Sequence, residues 1–313
     1  MVTAVVAAAV LIGALLTQGS GPHKPLAISH QSTLPSTTST SSTTTEPPPT
    51  SLAPLAPSTL PGEGQWTPAG RLVNGRPALF ITTLRPPTSG TPVGVARLDT
   101  SLLKIVVYAG TREPAGQWST QGSVPADRRP ELIAAFNGGF QFGSSGGGFF
   151  ADGRQSPPLR DGAASLVTRA DGSADVVQWG RDATLTADVA EVRQNLRLLV
   201  DAGTTAPDVG AWSSWGATLS HTAATWRSAV GSDDVHHLYF VGGPGMTPAA
   251  LAAVMVAAGA KRAMELDINP QWVFFAAYSE TLGAKLLPGM YYGPDHVLSP
   301  NWRDFVAAFS RFG

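Results

Sequence analysis

Apolar residues along this chain recur at more than one spacing, and each spacing predicts a different element. RPALFITTL (76–84) alternates with a period of two, as a half-buried strand does. ARLDTSLLKIVVYAG (96–110) repeats the pattern on both sides of Asp99 and Thr100, which predicts a hairpin there. ELIAAFNGGF (131–140) reads as a buried strand running into a glycine turn, followed by a glycine-rich loop from Gly143 to Gly148. FFADGR places a tight turn at Asp152-Gly153, and ASLVTRADGSADVVQWG (164–180) is the clearest hairpin, closed at Asp171-Gly172.

Helical spacing appears in three places. AALAAVMVAA carries Leu251, Val254, Met255 and Ala258 at three- and four-residue intervals. Thr247 precedes it at the N-cap position, Pro248 opens it and Gly259 ends it. The apolar runs HHLYFV before it and RAMELDI after it suit strands, so the unit predicts parallel neighbours joined by a right-handed crossover. DVAEVRQNLRLLVDAG (188–203) predicts a short amphipathic segment, and NWRDFVAAFSRF (301–312) a final amphipathic helix. Strands crowd the first half and a single strand–helix–strand unit follows. The expected fold class is α+β: one globular domain with a mixed sheet and a β-α-β unit near the C-terminus.

The N-terminal part fits none of these patterns. Val2 to Leu16 is almost entirely apolar and uncharged, long enough for a signal-peptide core and shorter than the roughly 20 residues of a full span. Residues 1–17 are therefore expected to be a signal peptide or a membrane anchor. Residues 18–65 are Ser, Thr and Pro with little else, too poor in apolar surface to offset ordering entropy, and are expected to form a disordered stalk. The globular domain is expected over 66–313. This layout implies an exported protein, at the cell surface or anchored to the membrane through its N-terminal segment with an extracytoplasmic domain.

Composition narrows the chemistry. Among 313 residues the net charge is −1 and 14% are charged, with no basic run, so nothing recommends nucleic acid as a partner. Cysteine is absent, which removes disulfides, thiolate nucleophiles and Cys-based metal sites. No GxGxxG, GxxxxGK[ST] or HExxH motif occurs. His236 and His237 open a strand and point to opposite faces, so they do not chelate one metal together. No cofactor and no metal is expected.

What is left is a set of carboxylates, one arginine and glycine turns. Glu265 and Asp267 stand two residues apart at the end of a strand and share a face. Their alternative is a structural ion pair with Lys261 or Arg262. The Asn137-Gly138-Gly139 turn lets backbone approach a ligand closely and present N–H groups to an anion. Arg227, beside Trp226, is suited to a phosphate or carboxylate, with Asp233 or Asp234 as the alternative partner. Trp212 and Trp215 have the chemistry to stack on sugars or to fill a core. Carboxylates suit glycosidic bond cleavage, and arginine with backbone N–H groups suits a phosphate.

AAFNGGF, the Asp152-Gly153 turn followed by a DG hairpin, WRSAVG and GMTPAALAAVMVAAGAKRAMELD, in this order, resemble the phosphodiester glycosidase family. The resemblance covers roughly 66–313. It implies hydrolysis of a sugar-1-phosphodiester and release of the sugar. The family's motif positions fall on Asn137, Gly138, Gly139, Arg227 and Asp267. Two departures stand out: NGGFF is NGGFQF here, and LDGGGS is LDINPQW, where Pro270 lacks an N–H and Asn269 and Gln271 offer side-chain donors instead.

The resulting expectation is an extracytoplasmic hydrolase acting on a glycosyl phosphodiester in a cell-envelope glycan or exopolysaccharide. Asp267, Glu265, Arg227 and Asp152 are its candidate catalytic residues. Asn137, Gly138, Gly139, Asn269, Gln271 and Trp226 are its candidate substrate-binding residues. The alternative is a catalytically silent carbohydrate-binding or cell-wall-tethering module on the same fold. The sequence does not fix the oligomeric state.

Overall fold

A computed structural model describes residues 47–57, 60–87, 89–216, 222–280 and 283–312. The expected signal peptide or anchor, and residues 18–46 of the expected stalk, lie outside them. The rest of the expected stalk does not behave as one. Leu52 and Leu55 pack against the domain, the Leu52 amide donates to the Gly64 carbonyl, and the Glu63 carboxylate pairs with Arg85 at 3.2 Å. Among the described residues no helix is long and apolar enough to cross a membrane.

The fold is mostly β. In chain order the strands of the first half are β1 (Thr67–Pro68), β2 (Leu72–Val73), β3 (Arg76–Pro77), β4 (Leu79–Leu84), β5 (Val93–Asp99), β6 (Leu103–Tyr108), β7 (Leu132–Asn137), β8 (Phe149–Ala151), β9 (Arg154–Gln155) and β10 (Ala164–Arg169). They continue with β11 (Ala174–Gln178), β12 (Val189–Gln194), β13 (Leu198–Asp201), β14 (Thr204–Thr205), β15 (Thr225–Ser232), β16 (His237–Met246), β17 (Arg262–Glu265), β18 (Phe275–Tyr278), β19 (Gly283–Lys285) and β20 (Phe305–Ser310). Two α-helices are described: α1 (Phe142–Ser145) is one turn, and α2 (Pro248–Ala258) is the only longer one.

Three antiparallel sheets carry the fold. The largest has eight strands in the order β1-β4-β5-β16-β15-β17-β13-β14. The second is β11-β10-β12-β8-β9, and the third is β19-β18-β7-β20-β6. Side chains alternate across the large sheet, so each strand feeds two cores. Leu238, Phe240, Val230 and Met264 face a core shared with the smaller sheets through Ile105, Phe136, Leu166 and Phe275. Tyr239, Val241, Ala229 and Ala263 face the opposite way, where α2 covers them with Leu251, Val254 and Met255.

The α2 boundaries follow local chemistry. Thr247 Oγ1 accepts the Ala250 amide at 3.1 Å, Pro248 stands where no N–H is needed, and Gly259 ends the helix at φ 110°. Its flanking strands β16 and β17 are not neighbours, however. β15 lies between them and pairs antiparallel with both. The expected parallel pair is thus split, because the preceding hairpin partner already occupies the edge that β17 would need.

Three other expectations change for related reasons. β5 and β6 do not form a hairpin: the turn at Asp99 and Thr100 hands the chain from the large sheet to the third one. Residues 188–203 form β12 and β13 rather than an amphipathic segment, with Gln194 buried at a position that helical spacing assigns to solvent. The C-terminal FVAAF is strand β20, inserted between β7 and β6. Its Phe305, Ala307 and Phe309 fill one core while Val306 and Ala308 fill another. A strand buried on both faces is continuously apolar, and periodicity does not separate it from a buried helix.

The cap makes α2 testable. Thr247→Ala is expected to lower stability by about 1 kcal/mol through loss of the capping bond. Urea unfolding checks this, and an unchanged midpoint contradicts it.

Candidate active site

The three sheets meet where β7, β17 and the segment before β20 all end. A cavity of about 570 Å³ opens there, lined among others by Phe140, Gln141, Ser213, Ser214, Asp267 and Asn269. Beneath it lies a recess of about 10 Å³, walled by Asn137, Gly138, Gly139, His296, Asn301 and Asp304. Asp267, Trp272 and Arg303 line both spaces and form the boundary between them.

Asp267 lies just beyond β17, whose last residue is Glu265. Backbone pairing nonetheless continues, since the Ser228 amide donates to the Asp267 carbonyl at 2.9 Å. This holds the residue in place while freeing its side chain from the sheet. Its Oδ1 accepts the Asn269 amide at 2.8 Å, and its Oδ2 meets Arg303 Nη2 at 2.8 Å. Burial pushes the Asp267 carboxyl above the usual carboxylate range, while Arg303 and the backbone amides pull the other way.

Arg303 is the residue that sequence reasoning missed. It occupies a stretch assigned to a helix, and nothing in NWRDF marks it as different from a surface arginine. Its guanidinium lies 4.7 Å from the Trp272 ring centroid and donates to the Gly139 carbonyl at 2.5 Å. Only 6% of the residue is exposed.

A second buried pair explains the glycine turn. Arg193 Nε donates to Asp304 Oδ2 at 2.7 Å, and Arg193 Nη2 donates to the Phe140 carbonyl at 2.5 Å. A Cβ on Gly138 would stand 1.9 Å from Asp304 Oδ2, and one on Gly139 would stand 2.9 Å from the Arg193 guanidinium carbon. The close approach these glycines permit is to an internal ion pair. Asn137 is similarly engaged, its Oδ1 accepting the Phe274 amide at 3.1 Å and its Nδ2 donating to Ser228 Oγ at 3.1 Å. It ties β7 to β15 and to the chain entering β18.

The structure thus brings Asp267, Asn137, Gly138, Gly139 and Asn269 to one cleft, with Gln271 exposed on the loop beside it. It does not bring Arg227 or Glu265. Both are 0% exposed and paired with each other at 2.5 Å on the α2 side of the large sheet. Arg227 also donates to the carbonyls of Met246, Trp215 and Ala223, so its donors face protein acceptors. The expected phosphate contact at Arg227 gives way to a structural ion pair, and its acid is Glu265 rather than Asp233 or Asp234. Burial raises Glu265 to about 7 against the opposing pull of Arg227.

Asp152 is exposed at φ 52° in the β8–β9 turn, where it accepts the Ser119 amide at 2.8 Å. Trp226 packs on the core and faces Gly289. Neither lines the cleft. Trp215 is buried, and Trp212 is only partly exposed. Among the described residues no group of three or more His, Asp or Glu is placed to hold a metal.

No family model and no curated protein matches this chain. Among solved structures, the chain is similar to the catalytic domain of zebrafish N-acetylglucosamine-1-phosphodiester alpha-N-acetylglucosaminidase, auto-inhibited by its pro-peptide. That match has 15% identity and a TM-score of 0.49 over 78% of this chain and 87% of the other. It is also similar to a hypothetical protein from Synechocystis, at 12% identity and a TM-score of 0.42 over 78% of this chain and 64% of the other. These likenesses assign no role to any residue.

Two measurements probe this geometry. Asp304→Ala leaves the Arg193 charge buried without its partner and is expected to cost about 3–5 kcal/mol, read from denaturant unfolding. A loss below about 1 kcal/mol contradicts the pair's role. His296 supplies a pH signature. Burial against Tyr292 and Phe274 lowers its pKa from 6.5 to about 4, so the unfolded chain takes up a proton before the folded one does. Stability should therefore fall as pH drops from about 6.5 towards 4, and His296→Gln should flatten that slope in urea midpoints. An equal slope in both proteins contradicts the assignment.

Proposed function

We propose that this protein is a hydrolase that cleaves the sugar C1–oxygen bond of a glycosyl phosphodiester, acting outside the cytoplasm on an envelope glycan or exopolysaccharide. The observation that carries the reading is the pairing of one buried carboxylate, Asp267, with one buried guanidinium, Arg303, at the boundary between a ligand-sized cavity and a small recess. The ordered motifs from AAFNGGF to RAMELD, which resemble phosphodiester glycosidases, support the same chemistry.

The leaving group explains why one carboxylate suffices. Hydrolysis of an ordinary glycoside needs an acid, because the departing alkoxide is strongly basic. A phosphomonoester departs as a stable anion and needs a countercharge instead. Arg303 supplies that charge. The recess has the volume of about one water molecule. Asp267 takes the proton from such a water as its oxygen attacks C1, the C1–O bond breaks, and the phosphomonoester leaves with the bonding electrons. The proton is then lost to solvent. A carboxyl whose pKa is raised by burial is a stronger base than one in water.

In this reading Asn137, Gly138 and Gly139 shape the recess, and Asn269 and Gln271 serve as side-chain donors on the loop where LDINPQW departs from the family pattern. Asp304 is committed to Arg193. The alternative, a silent binding module, keeps the cleft but loses turnover.

Asp267→Asn is expected to lower kcat on the methyl diester of a sugar 1-phosphate by about 100- to 10,000-fold while leaving the unfolding midpoint within reach of wild type. Retained activity refutes the assignment, and wild-type binding without turnover selects the silent module. The pH profile gives a second check. Arg303 holds the Asp267 pKa down, so Arg303→Gln should move the acid limb of kcat/KM to higher pH. A limb that stays in place, or moves down, excludes Asp267 as the base.

A further inference from the structure

The cleft continues outward as a run of aromatic rings that the hydrolytic reading does not use. Trp272, on the cleft wall, meets the Trp302 ring at 5.3 Å between centroids and the Tyr292 ring at 5.5 Å. Tyr292 in turn meets Tyr291 edge-on at 5.0 Å and stacks on His296 at 3.7 Å. The outer members are open to solvent: Trp302 is 44% exposed and Tyr291 64%. Arg112 lies 5.5 Å from the Trp302 ring centroid.

Elsewhere the described large exposed apolar residues are Leu60, Leu72, Leu185, Val235, Val256 and Phe312, set apart from one another along the chain. Among the described residues, only here are exposed Trp and Tyr gathered, and the gathering begins at the cleft. Indole and phenol rings combine a broad apolar face with a polar edge, and the face carries negative quadrupolar charge. Sugar C–H groups, polarised by the ring oxygens, complement such a face, while sugar hydroxyls find the polar neighbours Arg112, Asn269 and Gln271. An aliphatic partner or an acyl chain would leave those polar groups unmatched.

We propose that this aromatic shelf is a binding subsite for the glycan chain that flanks the scissile phosphodiester, so that the natural substrate is a polymer rather than a single sugar phosphate. The inference rests on the cleft being the reactive site. Trp302 and Arg303 are sequence neighbours, so a sugar seated on Trp302 is held at a fixed offset from the guanidinium that faces the phosphate. Occupancy of the shelf therefore sets where the chain is cut as well as how tightly it is held.

The test uses the full chain with Trp302→Ala and Tyr291→Ala, each alone and in the Asp267→Asn background. Two substrates are compared: the methyl diester of a sugar 1-phosphate and a soluble capsular polysaccharide whose repeats are joined by phosphodiesters. In the active background, the ratio of kcat/KM for polymer over small diester is expected to fall about tenfold, mainly through KM. In the Asp267→Asn background, calorimetric affinity for the polysaccharide is expected to fall to the same extent. If neither variant changes the ratio or the affinity, or if no polysaccharide binding is detected, the shelf is not a glycan subsite. If wild type binds the polymer through Trp302 and Tyr291 but hydrolyses neither substrate, the shelf stands and the hydrolytic reading falls.

Discussion

The buried pair between Arg193 and Asp304 is the interaction on which the rest of this structure depends. Arg193 comes from β12 of the second sheet, and Asp304 immediately precedes β20 of the third. Taking two charges out of water is costly, and the cost is offset only when every donor and acceptor is matched. Here the guanidinium also donates to the carbonyls of Phe140 and Gln194, which fastens the turn after β7 to both sheets. Gly138 and Gly139 are glycines because the pair sits where their side chains would be. The position of the cleft floor follows from that contact.

A second consequence concerns charge. With Asp304 matched to Arg193, the neighbouring Arg303 is left for Asp267, and the two pairs anchor adjacent carbonyls of one turn, Phe140 and Gly139. Burial without solvent around it is what raises Asp267, and Arg303 keeps that rise in check. The Arg227–Glu265 pair plays a different part. Sealed on the α2 side, it fixes the end of β17 against β15, two residues before Asp267. Alternation places Glu265 and Asp267 on one side of the chain, yet Leu266 and Asp267 both bond to Ser228, so the regular register ends at Glu265 and only Asp267 reaches the cleft.

Local chemistry was legible where few residues decide it. Thr247, Pro248 and Gly259 mark the limits of α2, and the turns at Asp152-Gly153 and Asp171-Gly172 mark two hairpins. Asp267 was also legible, through the strand-end pattern around it. What stayed hidden depends on contacts far apart in sequence. Arg303 pairs with a residue 36 positions away and Arg193 with one 111 positions away, so no spacing rule links them. FVAAF was misread because burial on both faces erases the alternation that identifies a strand. Arg227 and Glu265 looked like site residues for the same reason that buried ion pairs often do: an isolated charge in an apolar run has to be explained, and partnership inside the core is one of the explanations.

The most direct test of this account is a crystal structure of the Asp267→Asn protein soaked with the methyl diester of a sugar 1-phosphate. The phosphate is expected against Arg303, with the sugar in the larger cavity and its C1 facing residue 267. A phosphate bound away from Arg303, or a sugar whose C1 faces away from residue 267, contradicts it.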